Sequence, residues 1–276
     1  MPGFASKKIS PSLAGGLFLR VKYAFGHFLK RKNRFRIHSP FVHRFIEHVL
    51  RPHTPDPAHL AALRQRLLND ASTLSWQDLG AGHANQGGGW VTKPVSALVR
   101  GVARGAAEGT FLMRLAAFLQ PAQVLELGTH LGFSTLYLYA GHPGAKITTI
   151  EGGEAIAERA KSHFQEAGLN ATVLTGDFEQ VLSDLDLSAL RPDLVLLDGN
   201  HRKEPTLRYF HTLLPHLPDG ACVVLDDIYW SEEMAMAWEA IKQHPEVTIS
   251  IDLFKIGLCF IRRNQARQEF VLRFRG

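Results

Sequence analysis

The chain has 276 residues, 45% of them hydrophobic and 21% charged. That length suits one large domain or one domain with an extension, and the composition is globular rather than disordered. No run of 18 apolar residues is present, which argues against a transmembrane helix. The two cysteines, Cys222 and Cys259, sit in apolar runs and read as small buried hydrophobes of a reduced, cytoplasmic protein. No Cys/His cluster has zinc-finger spacing.

The net charge of +5 is unevenly spread. Residues 1–52 carry eleven Lys/Arg and one acid, Glu47, for +10, and the remainder balances at −5. A contact with nucleic acid or an anionic membrane, if there is one, belongs to that first segment, although a solvated basic face is the simpler reading. Lys7 and Lys8 precede an apolar stretch that Arg20 and Lys22 interrupt, which does not resemble a secretory signal.

Up to about residue 120 the patterns are helical. Leu17, Phe18, Val21, Phe25, Phe28 and Leu29 recur at helical spacing, followed by the basic run Lys30, Arg31, Lys32, Arg34 and Arg36. Ser39 and Pro40 suit an N-cap and first helical position. They precede an apolar stripe of Phe41, Val42, Phe45, Ile46, Val49 and Leu50, expected to pack on the following domain or on a second subunit of a homodimer. Asp56-Pro57 opens another helix, through Leu60, Leu63, Leu67 and Leu68. Residues 78–93 read as a Gly-rich loop of the kind that covers active sites, with Lys93 solvated or reaching a substrate. Helices over 94–105 and 110–119 complete this part.

Beyond residue 120, short apolar runs alternate with helical segments. The runs Gln123–Leu127, Lys146–Glu151, Ala171–Thr175, Asp193–Asp198 and Ala221–Asp226 predict five parallel strands with helices on both faces. Val247–Leu253 and Gly257–Arg262 are separated by too few residues for a crossover helix, so they pair antiparallel. The divisions are a basic helical region with a lid loop over 1–104, a doubly wound α/β domain over 105–263, and a strand-like tail over 264–276.

Ligands of such sheets bind beyond the carboxyl ends of the strands. The first strand leads through Glu126 into Gly128-Thr129-His130-Leu131-Gly132-Phe133-Ser134-Thr135. Gly128 permits the sharp turn, Gly132 a close backbone approach, and Ser134 and Thr135 cap the next helix. The spacing is G-x-x-x-G, not the G-x-G-x-x-G of a pyrophosphate binder. The second strand ends in Glu151, a carboxylate suited to a ribose diol. The third ends in Gly176-Asp177-Phe178, an acid and an aromatic able to flank an adenine. Together they make a nucleoside site without a phosphate cradle.

The runs VLELGTHLGFSTL, HPGAKITTIEGGE, TGDFEQVL, DLVLLDGNH and GACVVLDDIYW resemble the class I S-adenosylmethionine-dependent methyltransferases. Within them the chain looks most like the catechol-type O-methyltransferases and small-molecule methyltransferases with an Asp-Gly-x-His motif. The resemblance covers roughly residues 105–263. It implies a Rossmann-like sheet, mostly parallel with an antiparallel last strand, in the order 3-2-1-4-5-7-6. It implies S-adenosylmethionine as cofactor, bound by Glu126, Gly128, His130, Gly132, Ser134, Glu151, Gly176, Asp177, Phe178 and Asp198. Phe178 fits core packing equally well. Glu108-Gly109-Thr110 looks like the segment those enzymes place over the cofactor.

In-line methyl transfer needs an aligned nucleophile and a base for its proton. Catechol-type enzymes carry a lysine base three residues after a metal-binding aspartate, where this chain has Asp198 and His201. Imidazoles titrate near neutral pH, so His201 suits that role, beside the reading of a loop histidine bonded to Asp198 or to backbone. Asp198, Asp226 and Asp227 would offer three oxygen ligands to Mg²⁺. The family carries Asp-Asn where this chain has Asp226-Asp227, and a capping or substrate-orienting role without metal stands beside the metal role. Tyr229 and Trp230 would wall a substrate pocket or pack under the loop. The implied reaction is O-methylation of a small molecule. An RNA methyltransferase using the basic segment, and a non-catalytic cofactor-binding protein, are the alternatives.

Overall fold

The computed structural model describes residues 23–29, 37–77, 89–101 and 105–274. Residues 23–29 are helical. Leu17, Phe18 and Val21, the basic run Lys30 to Arg36, and residues 78–88 of the expected loop lie outside the described residues. In chain order follow α1 (Pro40–Phe45), which continues as a π-helical turn (Ile46–Leu50), α2 (Ala58–Leu68), β1 (Thr73–Gln77), β2 (Trp90–Pro94), α3 (Val95–Gly101) and α4 (Ala106–Leu119). The doubly wound part then runs β3 (Gln123–Leu127), α5 (Phe133–Gly141), β4 (Lys146–Glu151), α6 (Glu154–Glu166), β5 (Thr172–Thr175), α7 (Phe178–Asp184) and α8 (Leu187–Leu190). It continues with β6 (Leu194–Leu197), α9 (Lys203–Leu213), β7 (Cys222–Leu225), α10 (Glu232–Lys242), β8 (Ile249–Asp252), β9 (Gly257–Phe260) and β10 (Gln268–Val271).

The eight strands stand in the order β10-β8-β9-β7-β6-β3-β4-β5. Counted from β3, this is 3-2-1-4-5-7-6 with one further strand at the edge. β9 runs antiparallel to both β7 and β8, as its short connection requires. The expected strand-like tail is β10, which lies parallel to β8.

The central strands β6, β7 and β9 are apolar and buried throughout because both faces of the sheet are covered there. Val124, Leu194, Leu196, Cys222 and Val224 point into one core, shared with buried residues of α1 to α6. Leu125, Leu127, Val195, Leu197, Val223 and Leu225 point into the other, shared with α7 to α10.

The N-terminal helices belong to the first core. Ser39 caps α1, its hydroxyl accepting from Val42 N, and Pro40 takes the first helical position. The stripe after them packs on the sheet domain. The Phe41 ring lies 4.9 Å from that of Phe260, Phe45 lies 6.1 Å from Phe118, and Arg114 donates to the Val49 carbonyl at 2.7 Å. Asp56 does not cap α2: Pro57 does, and the Asp56 carboxylate accepts from the Tyr137 hydroxyl at 2.5 Å.

Residues 23–29 orient differently from what their spacing suggests. His27 is buried, whereas Phe25, Phe28 and Leu29 are each more than 60% exposed. The His27 ring meets Asp252 at 3.2 Å, and Tyr23 stacks on Tyr229 at 4.8 Å. Polar pairing, not apolar burial, seats this turn.

The expected loop over 78–93 is shorter than its glycines suggest. Trp90 to Pro94 form β2, paired antiparallel with β1. The strands were hard to read because only Val91 among their ten residues is buried. Among the described residues no helix is long and apolar enough to cross a membrane.

Phe45 is fully buried between α4 and β9. Phe45→Ala is expected to cost about 3–5 kcal/mol of unfolding free energy, read by chemical denaturation. A loss below about 1 kcal/mol would mean that α1 is not part of the folded core.

Candidate functional site

The site lies at the carboxyl edge of the eight-stranded sheet, where the loops after β3, β4, β5 and β6 surround one cavity. It is lined by Gly128 to Leu131, Phe133 and Ser134 from the first loop and by Glu151, Gly152 and Gly153 from the second. Gly176, Asp177 and Phe178 come from the third, and Asp198 to His201 from the fourth, with Tyr209 behind them.

Gly128 makes the cavity. Its φ is +105°, and a Cβ there would stand 2.2 Å from the Asp198 carbonyl oxygen. Only glycine combines that backbone with that approach, which brings the ends of β3 and β6 together. Gly132 differs from expectation: its close approach, at φ +83°, is to the Phe164 ring, not to a ligand, and it does not line the cavity.

The Glu151 carboxylate faces the cavity and is held from two sides. His130 N donates to one oxygen at 2.7 Å and Gly153 N to the other at 3.0 Å. Burial pushes the carboxyl pKa upward, and those two backbone bonds oppose the shift. His130 bends into the left-handed region, φ +48°, to make its bond. Burial drives the imidazole pKa down to about 4, with the Lys93 ammonium adding to the effect, so His130 is neutral at pH 7.

Glu126 does not reach the cavity. It is fully buried within β3, and its carboxylate accepts from the hydroxyls of Thr135 and Thr149 at 2.5 and 2.7 Å. It joins β3, β4 and α5 beneath the loop. Ser134 lines the cavity at the start of α5, but Gly132, not Ser134 or Thr135, is the N-cap. Asp177 lines the cavity and also caps α7, accepting from Glu179 N and Gln180 N. The Phe178 ring lies against the Gly199 backbone and edge-on to Tyr209, 5.8 Å away. Asn200, with φ +50°, donates to the Tyr209 hydroxyl at 3.2 Å and turns the chain so that His201 borders the cavity beside Asp198.

The aspartates expected to share a metal do not converge. Among the described residues no group of three His, Cys, Asp or Glu side chains is placed to hold a metal ion. Asp198 borders the cavity, whereas Asp226 and Asp227 do not. Asp227 turns out at φ +49°, and the following residue binds the Lys255 carbonyl through Ile228 N at 3.1 Å. The Lys255 ammonium pairs with Glu108 at 2.6 Å and feels the charges of Asp227 and Asp226. The residues present therefore do not fit the Mg²⁺ site implied by the resemblance.

Two other expected parts lie elsewhere. Glu108 and its neighbours sit on α4 outside the cavity, with Gly109 packed under the Tyr137 ring. Tyr229 donates to Asp252 at 2.6 Å, away from the cavity, and Trp230 is half exposed. Lys93 is exposed on β2, in line with the reading of a solvated lysine, and its charge is felt by His130.

Three lining residues come from where no motif pointed, Tyr209 of α9 among them. Trp76 and Gln77 of β1 close the cavity beside Gly152 and Gly153. The sequence signal was the alternation of Leu74 and Trp76 as the two half-buried positions of a strand, too short to stand out.

The native His130 pKa of about 4 lies below the ordinary value of 6.5. Between those limits the unfolded chain binds the extra proton, so the contribution to stability rises with pH there and is lost on acidification. His130→Asn, which tolerates the left-handed backbone, is expected to flatten the stability profile between pH 4 and 6.5. Parallel wild-type and variant profiles would contradict the buried, neutral imidazole.

Residues 125–228 match the family model described as "Methyltransferase domain". A transmembrane O-methyltransferase homolog of Rattus norvegicus is 38% identical over 132 residues, 45% of this chain and 50% of that protein. A catechol O-methyltransferase of Mycobacterium tuberculosis is 34% identical over 131 residues, 46% of this chain and 57% of that protein. The chain thus spans about half the length of the curated relatives it matches. Among solved structures, it is similar to the O-methyltransferase of Streptomyces achromogenes involved in tomaymycin synthesis, in complex with SAM. That likeness has 25% identity and a TM-score of 0.52, and covers 58% of this chain and 82% of the other. The Bacillus cereus O-methyltransferase in complex with SAH shares the fold at 20% identity and TM-score 0.54, over 80% of this chain and 97% of the other.

Proposed function

We propose that this chain, which carries a class I S-adenosylmethionine-dependent methyltransferase domain of the catechol type over residues 125–228, methylates an oxygen of a small-molecule acceptor. The observation that carries the reading is the meeting in one cavity of the Gly128–Ser134 loop, Glu151, Asp177, Phe178, Asp198 and His201. The O-methyltransferase names of the relatives support it.

In this reading Glu151 holds the ribose hydroxyls. Each of its oxygens already accepts one backbone N–H and keeps a further lone pair for a sugar hydroxyl. Gly176, Asp177 and Phe178 border the base. Gly128, His130 and Ser134 surround the amino-acid end, where the neutral imidazole adds no positive charge. Bound S-adenosylmethionine supplies a methyl group on a sulfonium. Asp198 stands at that end and favours the cation through its carboxylate.

His201 takes the proton of the acceptor hydroxyl as the oxygen forms its bond to carbon and the carbon–sulfur bond breaks, its electrons passing to sulfur. His201 is neutral before the step and imidazolium after it. No step is assigned to Asp226 or Asp227. The two cysteines are free and buried, which fits a reducing, cytoplasmic setting.

Methyl transfer from labelled S-adenosylmethionine to a panel of phenols and catechols tests the reading. His201→Ala is expected to lower kcat by about 10²–10⁴-fold while changing the affinity for S-adenosylhomocysteine less than about threefold. Unchanged activity across the pH range would remove His201 as base. Glu151→Ala is expected to weaken S-adenosylhomocysteine binding by roughly tenfold or more, as loss of charged hydrogen bonds implies. Wild-type affinity in that variant would remove the nucleoside placement.

A further inference from the structure

The residues after Glu151 are two glycines, so β4 supplies no side chain of its own to the cavity wall beside the Glu151 carboxylate. That wall comes from β1. A Cβ at Gly153 would meet Trp76 Cδ1 at 2.8 Å, Cγ at 3.0 Å and Cβ at 3.2 Å. The indole therefore lies directly on the Gly153 backbone, half-buried, and lines the same cavity as Glu151, Asp177 and Phe178.

The hairpin that presents it is fastened to α6, the helix that starts at Glu154. Arg159 donates to the Asp70 carboxylate at 2.8 Å and to the Ser72 hydroxyl at 3.0 Å. Ser72 O and Asp70 O accept from Val95 N and Ser96 N, at 2.8 and 3.0 Å, which locks both ends of the hairpin together. Alternation along β1 then turns Leu74 and Trp76 to the half-buried side, and Trp76 with its neighbour Gln77 reaches the cavity. A large indole is thus held at the edge of a cavity that Phe178 also lines.

We propose that Trp76 is the surface on which the adenine of bound S-adenosylmethionine or S-adenosylhomocysteine stacks. The hairpin β1–β2, outside the matched residues 125–228, then sets nucleoside affinity. The inference rests on the methyltransferase reading of the cavity. Stacking of a base on an aromatic side chain changes affinity by roughly five- to 150-fold. Gly153 is what admits the indole, since any side chain at position 153 would occupy its place.

The test is titration of the full chain with S-adenosylhomocysteine, by calorimetry and by tryptophan fluorescence, for wild type, W76F and W76A. The wild type is expected to bind with a change in tryptophan emission. W76F keeps an aromatic face: binding within about threefold of wild type is expected, with the emission change abolished although Trp90, Trp230 and Trp238 remain. W76A is expected to bind at least about fivefold more weakly. If Trp76 only seats the hairpin, W76A lowers the melting temperature but leaves affinity unchanged, and W76F retains the emission change; either result overturns the stack. Absence of S-adenosylhomocysteine binding in the wild type would overturn the methyltransferase reading, and the stack with it. Wild-type binding with unaltered W76A affinity would overturn the stack alone. Should W76A fail to fold, W76F decides.

Discussion

One contact organises the cavity: the hydrogen bond from His130 N to the Glu151 carboxylate, 2.7 Å long. It requires His130 to take a left-handed backbone conformation, which non-glycine residues rarely adopt. It also draws the loop after β3 across the end of β4, into a fixed position over the sheet. A buried carboxylate at a strand end is costly unless its oxygens are met, and here two backbone N–H groups meet it while leaving it open to the cavity. Without this carboxylate the loop after β3 loses one anchor, while Gly128 N and Thr129 N still donate to the Ile150 carbonyl and keep the ends of β3 and β4 paired.

Gly128 and Glu126 support that contact from below. The missing side chain at Gly128 lets the Asp198 carbonyl approach, which closes the floor between β3 and β6. Glu126 gathers the Thr135 and Thr149 hydroxyls inside the sheet, so an acid that looks like a ligand contact in the motif holds the frame instead. The opposite half of the carboxyl edge is organised by another buried acid. Burial alone would raise the Asp252 carboxyl, yet hydrogen bonds from His27 and Tyr229 hold its pKa below the ordinary value. That network ties the turn at residues 23–29 to the end of β8, far from it in sequence.

The parts of the fold that could be read from sequence are those with a local cause. The runs VLEL, LVLL and CVVL are apolar because both of their faces are buried, and the short turn before β9 forces it antiparallel. Gly128, Glu151 and Asp177 were legible because strand ends, turns and acids recur at fixed places along the chain. The parts that were missed depend on distant partners. Trp76 meets Gly153 across 77 positions, and nothing near residue 76 signals that contact. The expected metal triad failed for a similar reason: Asp226 and Asp227 do not line the cavity that Asp198 borders, and Lys255, from the turn between β8 and β9, feels their charge. Gly132 was assigned to a ligand when its neighbour is Phe164, on a helix that no local pattern connects to it.

The lining residues fit the nucleoside of S-adenosylmethionine without a phosphate cradle, as proposed above. The most direct measurement is a pair of calorimetric titrations of the full chain, one with S-adenosylhomocysteine and one with NAD. Saturable binding of S-adenosylhomocysteine with a stoichiometry of about one, and no heat from NAD, is the result predicted. Binding of NAD, or of neither ligand, would contradict the assignment of the cavity.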